Sequence, residues 1–279
     1  MITDSETNTV YISDLLKEKF TELHHDLTFL LREEKVPYLE LKNTRDIWCR
    51  DYMPIQLTSD RFILFKYDPD YLKDRAYCHL GTEQSAVLAP LYLKVDSSSL
   101  VIDGGNIVRH QKKVILTDKI FTENKTKDKQ EILAHLRVML EVDEVIIIPH
   151  LPNDFTGHSD GMVRFVNQQT VMLNDFSKYN PAYFEKLKKS LTVHGLNITL
   201  LPWDGWKNYS DEEDTGDYIN FLHVGNLIIV PEFSSVNDVA AKTVIRQAYP
   251  KTKVIGVDAR RIALEGGLLN CCTWNIKRN

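Results

Sequence analysis

The feature that most limits what this chain can fold into is a repeat. Short polar turns at Thr58-Ser59-Asp60, Gln111-Lys112-Lys113, Gln168-Gln169 and Gly225-Asn226 each lie between two apolar runs, the pattern of a β-hairpin. Their centres, near 59, 112, 168 and 225, are separated by roughly 53, 56 and 57 residues, a period suited to a small supersecondary unit.

Three of the hairpins lead into a helical segment and then a further apolar run. After Val114-Ile115-Leu116 comes Lys127 to Leu140, with Ile132, Leu133, Leu136, Met139 and Leu140 on one face, then Val145-Ile146-Ile147-Ile148. After Val171-Met172-Leu173, the pair Asn180-Pro181 reads as an N-cap with proline at the first helical position, Gly195 as the stop, and Ile198-Thr199-Leu200-Leu201 as the next strand. After Leu227-Ile228-Ile229-Val230 comes Ser235 to Ala248, stopped by Pro250, then Val254-Ile255-Gly256-Val257. The unit is therefore strand, strand, helix, strand.

At the ends the unit is split. The spacing predicts one helix over 13–34, with Leu16, Phe20, Leu23, Leu27 and Leu30 facing inward, followed by a strand at 36–41. The run Leu268 to Ile276 supplies a strand with no helix after it. Joining that strand to the N-terminal helix completes one more unit, so the termini should meet and about five units should surround one axis, with distant residues gathered where the strand ends converge.

The chain has 279 residues, 43% hydrophobic, enough for a substantial core, and a formal net charge of −5. That balance provides no field for nucleic acid or acidic lipid and favours a cationic partner. The start, Met1-Ile2-Thr3-Asp4-Ser5-Glu6, has neither a basic nor an apolar leader region, and no apolar run is of membrane-spanning length. A cytoplasmic location is expected, with the four cysteines reduced.

The chemistry-bearing residues are Cys271, within Glu265-Gly266-Gly267-Leu268-Leu269-Asn270-Cys271-Cys272-Thr273-Trp274, the pair His158 and Asp160, and two further aspartate motifs. A thiol, an imidazole and three carboxylates without metal-ligand spacing suggest attack by sulfur on a cationic carbon. Four segments carry a family resemblance: Trp48-Cys49-Arg50-Asp51-Tyr52-Met53-Pro54, Asp103-Gly104-Gly105-Asn106, Gly157-His158-Ser159-Asp160 with Arg164-Phe165, and Gly266-Gly267 through Cys271 and Thr273. In this order they resemble the agmatine deiminase and bacterial (Porphyromonas-type) peptidylarginine deiminase family, among the guanidino-group-modifying enzymes.

That resemblance implies a five-bladed α/β propeller, the pentein fold, formed by one catalytic domain over 1–279. It also implies that Asp51 and Asp160 grip a guanidinium, that His158 is acid and base, that Asp103 orients His158 and that Cys271 is the nucleophile. Trp48 and Asn106 would join Asp51 and Asp160 in binding substrate. Asp103 stands where relatives commonly carry glutamate. The segment before Cys271 also differs from the Gly-Gly-Gly-Asn-Ile-His-Cys typical of agmatine deiminases. The implied activity is deimination of a guanidino compound to a ureido product and ammonia through a covalent thiouronium, without metal or organic cofactor. Agmatine, on the route to putrescine, leads as substrate, followed by arginine or peptidylarginine.

Those roles suit the chemistry. A guanidinium is planar, permanently charged and presents paired N–H donors, which carboxylates hold by forked bonds. Its carbon then lies open to a thiolate, which the bound cation favours. In a strand His158 and Asp160 would share a face, as would Cys271 and Thr273, leaving Cys272 to packing.

Duller readings accompany each assignment. A cysteine near a terminus can be a small core hydrophobe, His158 a satisfied polar side chain, Asp103 a turn residue, and Trp48 part of the core. Arg50 and Arg164 are expected in structural ion pairs, and His24 and His25 on the surface. The acidic run Asp211-Glu212-Glu213-Asp214 lies in a polar connection over 203–217 that reads as a solvated loop or a lid for a cationic tail. An amidinotransferase or methylarginine hydrolase of the same superfamily shares the covalent step, and a non-catalytic binding protein would keep the repeat without the reactive set. A papain-like protease would place its cysteine ahead of its histidine, the reverse of the order here.

Overall fold

A computed structural model of the chain describes residues 1–203 and 216–279. Among the described residues fifteen strands form five three-stranded sheets with one topology. In each, the middle strand pairs antiparallel with one neighbour and parallel with the other. In the fourth unit, for example, Met172 on Thr170–Asn174 lies opposite Arg164 on Val163–Asn167 and beside Thr199 on Asn197–Leu201. An antiparallel partner needs only a tight turn whereas a parallel one needs a crossover, so four of the units are a hairpin followed by a longer connection, and in the first the antiparallel pair is made by the two chain ends. All four predicted hairpin turns fall between paired strands.

The helices form where the sequence has caps and an apolar stripe. In Pro181–Thr192 the Asn180 side chain accepts from the Tyr183 N–H at 3.0 Å and Pro181 pre-sets the first turn. Phe184, Leu187 and Leu191 are buried, and Gly195, at φ +71°, takes the left-handed turn that redirects the chain into Asn197–Leu201. Lys129–Leu140 starts two residues later than the spacing predicts because the Asp128 side chain accepts from the Gln130 and Glu131 N–H groups, and it buries Ile132, Leu136 and Leu140. Asn237–Ala248 is likewise shortened at its start, where the Asp238 carboxylate accepts from the Phe233 and Ser235 N–H groups.

The second unit has no long helix. Strands Arg61–Lys66 and Lys94–Val101 are joined instead by the short helix Gln84–Leu88 and 3-10 turns at Asp70–Lys73, Cys78–Leu80 and Ala89–Leu91. In the first unit the expected single helix is two, Leu15–Lys19 and Thr21–Glu33, broken at Phe20 where the backbone leaves helical geometry. The break turns His24 inward: contrary to the surface position expected for both histidines, His24 is buried and only His25 is exposed.

The termini meet. Thr273–Ile276 pairs antiparallel with Thr9–Ser13, setting Thr273 opposite Ile12 and Ile276 opposite Thr9, and Tyr38–Leu41 adds in parallel on the other side. The terminal strand is shorter than the apolar run suggested, because residues 269–272 form a turn. No helix among the described residues is long and apolar enough to cross a membrane.

Candidate active site

Each sheet is entered by a segment just before its first strand; four of those five segments put polar side chains on one cleft, and the segment holding Asp103 bonds to one of them, His158. Asp51 lies in the helical turn Cys49–Tyr52 before Ile55–Gln56, Asp103 before Val108–His110, and His158 and Asp160 before Val163–Asn167. Asn220 precedes Leu222–Val224, and Asn270 and Cys271 precede Thr273–Ile276. Asp51, His158, Asp160, Asn220 and Cys271 line the same cleft of about 600 Å³. His158, Asp160 and Cys271 therefore reach it from turns, and the strand alternation expected of them does not apply. Cys272 is fully buried as packing, its thiol directed at the Leu269 carbonyl.

Gly105 is the pivot of the arrangement. Its N–H donates to Asp51 Oδ1 at 3.0 Å, and its carbonyl accepts from the Asp160 N–H at 3.1 Å. A Cβ at Gly105 would stand 2.7 Å from both Asp51 Oδ1 and His158 Nδ1, so glycine alone allows this approach. His158 Nε2 is 2.9 Å from Asp103 Oδ2, which also accepts from the Tyr71 hydroxyl at 2.9 Å. The other ring nitrogen, Nδ1, faces Asp51 Oδ1 at 3.6 Å. The Cys271 thiol is directed at Asp160 Oδ2 at 3.7 Å, and the same oxygen accepts from the Asn270 side chain at 2.7 Å.

Crowding of acids in a buried space governs the protonation of the site. Burial raises the Asp51 carboxyl, His158 opposes that, and Asp103 and Asp160 reinforce it, leaving Asp51 at about 8. For His158 burial acts downward, but Asp51, the bond to Asp103 and the Asp160 charge outweigh it and lift the ring to about 10. Burial, then the Asp160 and Asp51 charges, push the Cys271 thiol well above its usual value. Without a cation the site therefore holds extra protons and a neutral thiol.

Two residues not singled out in the sequence belong here. The Asn220 amide nitrogen donates to Cys271 Sγ at 3.2 Å, while its oxygen accepts from the Asn270 and Cys271 N–H groups at 3.1 and 3.3 Å. Asp217 lines the cleft, its Oδ1 accepting from the Asn174 side chain at 2.8 Å. Burial lifts it to about 8, opposed by Asn174 and reinforced by Asp160 and Asp154. The available signal for Asn220 was its position just ahead of the first strand of the fifth unit, where the other units carry their functional side chains.

Trp48 lines the cleft with its ring against Gly267, where a Cβ would meet the indole at 2.7 Å. Asn106 differs from the substrate contact expected of it: its amide oxygen accepts from the Thr117 N–H at 2.8 Å, which holds the Gly104–Asn106 turn, and it is not among the described residues lining the cleft. Arg164 makes the expected ion pair, with Asp4 at 2.6 Å. Arg50 uses neutral acceptors instead, the Asn270 carbonyl and the Asn275 side chain, and its N–H donates to the Cys271 carbonyl at 3.0 Å. The acidic run at 211–214, expected as a loop or lid, lies outside the described residues. Among the described residues no cluster of three or more His, Cys, Asp and Glu side chains is set to hold a metal ion.

Comparison with known proteins agrees with this geometry. The profile of the Porphyromonas-type peptidyl-arginine deiminase family matches residues 1–276. The chain belongs to that family. Among its curated relatives, the agmatine deiminase of Stutzerimonas stutzeri is 28% identical over 210 residues, covering 63% of this chain but 57% of its own length. This family member thus spans little more than half the length of such relatives. The solved agmatine deiminase of C. jejuni superposes over 100% of this chain and 96% of its own, with a TM-score of 0.82 at 19% identity. An amidinotransferase of saxitoxin biosynthesis from Microseira wollei shares the fold more loosely, with a TM-score of 0.62 at 11% identity, covering 99% of this chain and 97% of its own.

Proposed function

We propose that this family member is a guanidino-group deiminase whose leading substrate is agmatine, converted to its ureido product and ammonia through a covalent adduct on Cys271. In this reading the five sheet units are blades of one α/β propeller, a single domain over 1–279 closed by the pairing of the terminal strands, with the substrate at its axis. The observation that carries the proposal is that Cys271, His158, Asp51 and Asp160 line one cleft, with the Gly105 peptide bridging the two aspartates.

Each step uses a group already in place. Asp51 and Asp160 grip the guanidinium and orient its plane. The arriving positive charge lowers the thiol pKa of Cys271, whose proton passes to solvent, and the thiolate attacks the central carbon to give a tetrahedral adduct. Protonated His158, held by Asp103, donates to the departing nitrogen; the C–N bond breaks, ammonia leaves and an S-alkylthiouronium remains. Water then adds to that carbon as His158 takes its proton, and the C–S bond breaks to release the ureido product and the thiolate.

The charge of the cleft supports agmatine over free arginine. Its described lining holds six acids, Asp46, Asp51, Asp154, Asp160, Asp217 and Glu265, of which burial keeps Asp51 and Asp217 protonated until a cation arrives, against Lys19, Arg260 and the protonated His158. A substrate with an ammonium at the far end is attracted by this excess, whereas the α-carboxylate of arginine is repelled. The names of the agmatine deiminases reported above, and a C. jejuni agmatine deiminase solved with substrate bound at a TM-score of 0.83, point the same way.

The decisive assay is ammonia release over agmatine, arginine, arginyl peptides and methylated arginines, with Cys271→Ala as control and mass spectrometry of the product. Release from agmatine that is lost in the variant is expected. A folded protein inactive on the whole panel refutes the reading, and transfer of the amidino carbon to an amine acceptor identifies an amidinotransferase instead.

A further inference from the structure

Asp160, which lines the cleft, also lines a second cavity of about 120 Å³, together with Asn270. Its walls carry Asp4, Arg50, Arg109 and Arg164 together with His110 and His223. The Arg109 and Arg164 side chains are 7% and 8% exposed, and Arg50 is 4% exposed. Three guanidinium groups thus meet two carboxylates, Asp4 and Asp160, in a space that is shielded but open at its mouth, where Ser5 and His110 stand.

The groups do not neutralise one another. Asp4 is spoken for by Arg164, which approaches to 2.6 Å, and its carboxyl is held well below the usual range: burial acts upward, but Arg164, Arg109 and Arg50 outweigh it. Burial pulls His223 down to about 4, so at neutral pH it contributes no charge to offset or add. Burial also pulls Arg109 down to about 10, with Arg50 and Arg164 adding to the effect and only Asp4 opposing, which leaves it cationic at neutral pH. Three positive groups, less the carboxylates of Asp4 and of Asp160 at the cleft end, leave an excess of one positive charge.

Donors are also unspent. Arg109 Nε donates to the Ile2 carbonyl at 3.0 Å, but among the described residues neither of its terminal nitrogens has a hydrogen-bond acceptor; Asp4 Oδ1 stands 4.0 Å away. Arg50 uses Nε and Nη2 on Asn270 and Asn275 and leaves Nη1 without an acceptor among the described residues. Buried charge of one sign with idle donors is costly unless a counter-charge occupies the space. A water needs about 10 to 15 Å³ on this scale, so the cavity has room for a tetrahedral ion with some of its hydration.

We propose that this second cavity is a binding site for a small divalent oxyanion of the sulfate or hydrogenphosphate class, held chiefly by the fork of Arg109 with Arg50 and Arg164. The site is separate from the substrate cleft, and its existence does not depend on the reaction assigned there. Planar guanidinium forks suit such oxyanions, whose paired oxygens accept the parallel N–H bonds, whereas chloride is a single sphere with no oxygen pair to match the fork.

The test is the thermal midpoint of the full chain titrated with sodium sulfate or phosphate, against sodium chloride at matched ionic strength. A saturable rise with the oxyanions, absent with chloride, is expected, and Arg109→Gln should weaken the apparent Kd by about tenfold or more. No rise beyond that of chloride, or an equal rise in Arg109→Gln, overturns the proposal. Should Arg109→Gln fail to fold, wild-type crystals soaked in selenate decide: anomalous density within hydrogen-bond distance of Arg109 supports the site, and a cavity without it overturns the site.

Discussion

The side-chain nitrogen of Asn220 donates to the sulfur of Cys271 at 3.2 Å, while its oxygen accepts from the Cys271 N–H at 3.3 Å. One amide thus fixes both the direction of the sulfur and the turn that carries it. Its donor favours thiolate, as does a backbone hydrogen bond at Leu268, against burial and two nearby carboxylates that favour thiol. Replacing Asn220 by Ala should therefore lower kcat by roughly ten- to a hundredfold, the size of a lost hydrogen bond to a charged group of about 1.5–3 kcal/mol. Thiolate absorbance near the ultraviolet edge, followed against pH, should show the Cys271 transition displaced upward. An unchanged titration would assign Asn220 to the turn alone.

Gly105→Ala should retain the fold and lose activity. The new Cβ collides with Asp51 Oδ1 and His158 Nδ1, both at 2.7 Å, and separating them misaligns the cation grip from the acid. A fall in kcat/KM on the order of a hundredfold is expected, since misplacement by about an ångström costs that much. Circular dichroism reports the fold. Gly104→Ala should behave differently, because its Cβ would lie 2.0 Å from the Arg50 carbonyl, a backbone atom that cannot step aside, so soluble yield should collapse.

Protonation of the empty site predicts how stability depends on pH. Asp51 is raised from 3.8 to about 8 and His158 from 6.5 to about 10, so the folded state binds both protons more tightly than the unfolded chain. Each contribution is complete below the unfolded pKa and is lost as pH rises through the folded one. The melting temperature of the ligand-free protein should decline between about pH 4 and 8 through Asp51 and between about 6.5 and 10 through His158. Asp217, also raised to about 8, contributes to the first window, so Asp51→Asn should make the decline there shallower than in wild type and exceed wild type above pH 8. A wild-type profile in that variant would mean that Asp51 is not the group holding the proton.

The same acids should release protons when the cation arrives. In Cys271→Ala, agmatine binding near pH 7 should liberate a fraction of a proton, mainly from Asp51, because the guanidinium replaces the proton as counter-charge. Calorimetry in buffers of different ionisation enthalpy measures this, and Asp51→Asn should suppress it.

Core packing under the fourth sheet supplies a control remote from the chemistry. Leu187 is fully buried in the cluster with Phe176, Phe184 and Leu191. Leu187→Ala should cost about 2–5 kcal/mol of stability, read by denaturant unfolding, with kcat unchanged below the transition.

Where the sequence was readable, local physics did the work. The turns at 58–60, 111–113, 168–169 and 225–226 were visible because hairpins are contiguous and their polar centres interrupt apolar strands. Asn180 and Pro181 announced a helix start because a cap acts within one turn. The break at Phe20, which buried His24, was hidden because the apolar spacing runs on through it. The short helices of 70–91 were equally hidden, since that stretch has no stripe to read.

By itself the sequence determined the repeated unit, the splitting of one unit between the two termini, and the residue types of a thiol, imidazole and carboxylate set. These follow from periodicity and side-chain chemistry, both carried by neighbours along the chain. Only the tertiary structure decided that Asn106 braces a turn while Asn220 holds the sulfur, that Gly105 bridges Asp51 and Asp160, and that three arginines share a cavity with Asp4. Those outcomes depend on which segments, far apart in sequence, enter their sheets side by side, and no local pattern encodes the direction of a side chain across that gap.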